Sequence, residues 1–95
     1  MPLYVMTCID HKDALERRMG ARPAHLDYVA ANKALVKVAG PLLNEDGGMA
    51  GSLFIIEADN RAQVEAFNAA DPYVLADVFE RVDIRAFKVT VGALA

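Results

Sequence analysis

Residues 3–9 read LYVMTCI, a run of strand-forming side chains that is apolar at odd and even positions alike. Successive side chains of a strand point to opposite sheet faces, so this pattern predicts a strand covered on both sides. Asp10 ends the run. Helices of the same chain can cover one face, and the other then needs cover from elsewhere. The chain has 95 residues, which suits one domain over 1–95. A chain this short buries only roughly 60–65% of its unfolded surface and gains from pairing with a copy of itself. A homodimer is therefore expected.

The segments that follow set the order of elements. DHKDALERRMGAR (10–22) predicts a short helix with Asp13 or Asp10 as N-cap, Gly20 as its stop and His11 facing solvent. In RPAHLDYVAANK (22–33), Pro23 fits the first position of a second helix, which runs to about Leu35. Leu26, Val29, Ala30 and Lys33 form its apolar stripe, while His25, Tyr28 and Asn32 share an adjoining polar-aromatic edge. LVKVAGPLL (35–43) and SLFIIEA (52–58) are strand-forming runs joined by the turn-rich NEDGGMAG, an antiparallel hairpin. DNRAQVEAFNAADP (59–72) reads as a helix capped by Asp59 or Asn60, with Val64 and Phe67 inward. Asp71 and Pro72 restart the chain as N-cap and first-turn proline of a short helix, and RVDIRAFKVTV (81–91) closes as a half-buried strand.

Strand, helix, strand, strand, helix, strand is the order of an α+β, ferredoxin-like split β-α-β-β-α-β sandwich. Helices cover one face of such a sheet. With the doubly apolar first strand, two sheets packed face to face give a dimeric α+β barrel.

Composition excludes several classes of function. Ten Lys and Arg stand against thirteen Asp and Glu, a net charge of −3 with no basic stripe, so nucleic acid is not an expected partner. MPLYVMTCID lacks a basic leader and its apolar run is too short to span a bilayer, which points to a cytoplasmic protein with no membrane association. The single cysteine, Cys8, lies inside the strand run and reads as a small core residue. Two histidines without metal-ligand spacing leave no transition-metal site, and GGMAGS lies between strands instead of before a helix, where a phosphate loop would stand. No metal and no cofactor are expected.

Few side chains carry chemistry. His25 is either an amphipathic histidine at a helix start or a proton carrier, and Asp71 before Pro72 is a helix N-cap whatever else it does. Arg22 is a candidate to hold an anionic group, or a solvated cation. Ser52 is a candidate to hydrogen-bond a substrate, or the start of a strand, and Tyr73 lines a pocket or buries its ring.

The pieces LYVMTCID, LERRMGARPAHLDYV, AGPLL, GSLFIIEA, AFNAADPYVLADVFE and VDIRAFKV, in that order, resemble the YCII-related family over nearly the whole chain. The resemblance implies the dimeric ferredoxin-like fold and an active site made of a histidine and an aspartate, which fall on His25 in RPAH and Asp71 in ADPY. It also implies likeness to a dehydrochlorinase of a chlorinated hydroxyquinol, and at the level of fold to muconolactone isomerase. The expectation is a small enzyme of lyase or isomerase type, in which His25 is general base or acid and Asp71 its orienting partner, acting on a small, cyclic or aromatic metabolite. The alternatives are a ligand-binding or accessory module that uses the same pocket without turnover, and a structural dimerisation domain.

Overall fold

The computed structural model describes residues 2–94. Strand β1 (Leu3–Asp10) is followed by helix α1 (Leu15–Ala31), strands β2 (Val36–Leu43) and β3 (Met49–Glu57), helices α2 (Arg61–Ala69) and α3 (Pro72–Leu75), and strand β4 (Phe79–Phe87). The four strands form one antiparallel sheet in the order β2-β3-β1-β4. This is the ferredoxin-like α+β sandwich, with β1 in the interior of the sheet as its double apolarity requires.

Register fixes what lies under the helices. One row across the sheet is Ala39, Phe54, Met6 and Ile84, and the next is Pro41, Ser52, Cys8 and Val82. Met6, Cys8, Phe54 and Ile84 are buried with Val64 and Phe67 of α2, so this face carries the core. Cys8 is enclosed, and burial pushes its thiol up to about 12. Gly51 pairs with Ile9 and Leu42, and any Cβ there would collide with the Cys8 carbonyl, so the close approach admits only glycine. The opposite face presents Leu3, Val5, Ile9, Leu53 and Ile55, all only half-buried, and the exposed Val38.

Helix α1 differs from the expected pair of helices. It is one helix of 17 residues with Pro23 inside it, and Gly20 does not stop it. Gly20 lacks the positive φ of a glycine C-cap, and Pro23 lies on the exposed side, where water can satisfy the Met19 carbonyl that proline cannot. Ala14, Arg18, Ala21, His25, Tyr28 and Asn32 follow one continuous three-and-four spacing of buried or half-buried positions. Packing along that stripe outweighs the intrinsic cost of about 3 kcal/mol for an interior proline. The buried face is thus the one that His25 and Tyr28 share, while Leu26 is 47% exposed and Ala30 and Lys33 face solvent. Only Val29 of the expected stripe packs on the core.

The termini of the helices differ in smaller ways. Ala14 occupies the N-cap of α1 without a side-chain cap; Asp13 adopts a φ of 60° and Asp10 turns to Arg18 instead. The helix ends at Ala31, with Asn32 as C-cap, short of Leu35. His11 is half-buried and meets the Asp77 carboxylate at 3.2 Å. Asn60 caps α2 through the Gln63 N–H, and Asp71 caps α3. Strand β4 begins two residues before the expected start and ends at Phe87, because pairing with β1 runs from Asp10–Phe79 to Leu3–Phe87. Among the described residues no helix is long and apolar enough to cross a membrane.

Candidate functional site

His25 and Asp71 are 46 residues apart in sequence and meet under the helices. The His25 Nδ1 lies 2.8 Å from the Asp71 Oδ1. The same carboxylate oxygen accepts the Tyr73 backbone N–H at 2.9 Å, so one atom both caps α3 and holds the imidazole. Asp71 is completely buried and His25 is 7% exposed. A carboxylate only accepts, so the Nδ1–H faces Asp71, and in the neutral imidazole the lone pair then stands on Nε2.

The imidazole is also fixed by its neighbours. The Tyr73 ring stacks on it with centroids 3.8 Å apart, and Phe54 meets it edge-on at 6.0 Å. Tyr28 anchors the next turn of α1 by donating to the Phe67 carbonyl at 2.7 Å. Burial raises the Tyr73 phenol above its ordinary range against the pull of Arg18 and Arg22, which makes it a neutral packing partner at physiological pH.

His25 opens into a cavity of about 120 Å³ between α1 and the β2–β3 end of the sheet. Arg22, Ser52, Tyr73 and Phe54 line it, with Pro41 on the sheet side. An apolar cavity of about 150 Å³ takes up benzene, so this space is of the order of one six-membered ring. The structure brings Arg22, Ser52 and Tyr73 around His25, and places Asp71 behind it. Among the described residues no group of three His, Cys, Asp or Glu side chains comes together as a metal site.

Arg18 is the lining residue that sequence reasoning missed. It is 2% exposed, donates to both Asp10 carboxylate oxygens at 3.0 and 3.3 Å and to the Ser52 hydroxyl at 2.7 Å, and lies over the Tyr73 ring at 4.5 Å. Its signal is the spacing 18, 22, 25, which puts two arginines and the histidine on one face of a single helix. Splitting α1 at Gly20 removed that register.

A four-stranded sheet with its helices on one face, and a histidine–aspartate pair bordering a ring-sized cavity between helix and sheet, define a small ferredoxin-like protein. The chain belongs to the YCII-related domain family, whose pattern spans residues 2–88. Protein YciI of Escherichia coli O6:H1 is 37% identical, over 90% of this chain and 96% of that protein. Among solved structures, the 5-chloro-2-hydroxyhydroquinone dehydrochlorinase of Burkholderia phenoliruptrix AC1100, in complex with 2,5-dihydroxybenzoquinone, is 31% identical. It superposes with a TM-score of 0.84 over 90% of this chain and 93% of that one. A dimeric ferredoxin-like protein of unknown function from Jannaschia sp. CCS1 shares the fold, at 17% identity and a TM-score of 0.54 over 94% and 100% of the two chains.

Proposed function

We propose that the chain is an acid/base enzyme of lyase or isomerase type acting on a small ring compound, with His25 Nε2 as the base and Asp71 as its orienting partner. The observation that carries this reading is the 2.8 Å contact of Nδ1 with a buried carboxylate, on an imidazole that borders a ring-sized cavity. Nε2 takes a proton from the ring. The electron pair left behind forms a double bond, either expelling a leaving group or accepting the proton back at another carbon. Asp71 stabilises the imidazolium formed in between and preserves the tautomer. The dehydrochlorinase of similar structure supports elimination from an oxygenated ring as the reaction class.

Turnover of halogenated phenols, lactones and small esters by the purified protein tests this. Replacing His25 by alanine is expected to lower kcat 10²- to 10⁴-fold, the range general acid–base catalysis supplies. An unchanged rate in His25→Ala overturns the reading. Binding without turnover of any of these would make the domain a ligand-binding module.

The same reading includes a homodimer joined through the open sheet face. Val5, Ile9, Leu53, Ile55 and Val38 form an apolar surface with no helix over it, and the Jannaschia protein of the same fold is dimeric. Sedimentation is expected to give a dimer at micromolar concentration, and an aspartate at Val5 to give the monomer. A parent chain that sediments as a monomer removes the dimer.

A further inference from the structure

Tyr73 touches both members of the histidine–aspartate pair, through different parts of itself. Its backbone N–H donates to the Asp71 Oδ1 at 2.9 Å, and its ring lies 14° from parallel to the His25 imidazole with centroids 3.8 Å apart. The Arg18 guanidinium carbon is 4.5 Å from the centre of the same ring. At that stacking distance the imidazole fills one ring face, so the guanidinium takes the other. Arg18 is in turn held by Asp10 of β1 and Ser52 of β3. Phe79 of β4 meets the Tyr73 ring edge-on at 5.8 Å, and the residue is 1% exposed. The ring is thus clamped between the imidazole and a side chain anchored to two strands of the sheet.

This clamp supplies what the hydrogen bond to Asp71 leaves open. The outer torsion of a histidine side chain joins a tetrahedral to a planar carbon and is broad. A single contact at Nδ1 holds that nitrogen while the ring plane can still swing, and Nε2, on the far side of the ring, moves with the swing. Proton transfer tolerates little of this, since a displacement of about 1 Å at reacting atoms costs about 100-fold in rate.

We propose that Tyr73 is a positioning residue for His25. Its ring, backed by Arg18, sets the plane of the imidazole and so the direction of Nε2, while its N–H sets the Asp71 carboxylate. The role belongs to the ring and the peptide N–H, and not to the phenol hydroxyl. It rests on the acid/base reading, because only transfer at Nε2 makes that direction matter for rate.

Turnover and NMR of the full chain, labelled with carbon-13 in the His25 ring, test this in the parent, Tyr73→Phe and Tyr73→Leu. Both variants keep the N–H, and only phenylalanine keeps the ring. In the parent the His25 ring protons are expected upfield of free imidazole, as protons over an aromatic face, with the relaxation of a rigid group. Tyr73→Leu is expected to lower kcat by about 10- to 100-fold, with a smaller change in KM, and to make the imidazole more mobile. Tyr73→Phe is expected to recover most of the kcat and the rigidity. A loss in Tyr73→Phe as large as in Tyr73→Leu assigns the role to the hydroxyl and overturns the proposal. Tyr73→Leu with parental kcat, or with KM alone raised, makes Tyr73 a wall of the cavity and overturns it too. If Tyr73→Leu does not fold, the other two proteins decide: His25 ring protons unshifted in the parent, or kcat lowered about tenfold in Tyr73→Phe, overturns it. Each of these results leaves the acid/base reading standing, which falls only with unchanged turnover in His25→Ala.

Discussion

Asp71→Asn is expected to stay within about 1 kcal/mol of the parent in stability while lowering turnover by 10²- to 10⁴-fold. The amide oxygen can still accept from the Tyr73 N–H and cap α3. Its nitrogen replaces an oxygen, Oδ2, that has no partner in the fold, so no existing hydrogen bond is broken, and the small loss comes from the buried amide N–H groups it introduces. What disappears is the negative charge that stabilises the imidazolium. Asp71→Ala is expected to lose both, with a destabilisation of about 2–4 kcal/mol, because it removes the cap and leaves the Tyr73 N–H and a His25 ring nitrogen buried and unpaired. Chemical denaturation and initial rates on the same preparations separate the two roles. Equal turnover in the asparagine variant would exclude the carboxylate's charge from the mechanism.

Arg18→Ala is expected to destabilise the fold by about 3–5 kcal/mol at neutral pH, since it leaves the Asp10 carboxylate buried without a counter-charge. The loss should depend on pH. Burial already pushes the Asp10 carboxyl above its ordinary value, against the opposing pull of Arg18. Without Arg18 it rises further, so folding favours protonated Asp10 more strongly. A carboxyl raised in the folded state supports stability below its unfolded value, and that support is lost as pH climbs through the folded value. The variant should therefore approach the parent in acid and fall away from it towards neutrality. Adding Asp10→Asn should recover part of the neutral loss, and urea denaturation at a series of pH values measures both effects. A destabilisation independent of pH would show that the guanidinium contributes by packing on Tyr73 alone.

The order of elements was legible because the strand runs alternate or saturate with apolar residues and the turns carry their own signals. Asp59 or Asn60, and Asp71, stood out as caps, and it is Asn60 and Asp71 that cap their helices. The register of α1 was hidden by Gly20 and Pro23, two residues that locally argue for a break. What joins the two segments is long-range: the stripe through Arg18 and His25 is buried only because Asp10, Ser52 and Tyr73 lie opposite it. A propensity reading sees Arg18 as a charged residue in a polar helix. Its burial depends on partners up to 55 residues away in the chain, which no local pattern encodes. His25 was visible as a residue type, and its contact with Asp71 required the topology.

The enclosure of Cys8 has a consequence for the company this protein can keep. Quinones and related unsaturated ketones are electrophiles that add to thiolates, and a protein handling them risks alkylating itself. Here the only sulfhydryl of the chain lies in the sheet row that carries Ser52, without exposure, and its thiolate is suppressed until about pH 12. The one thiol of the chain is thus kept enclosed and protonated, out of reach of any electrophile in the neighbouring cavity.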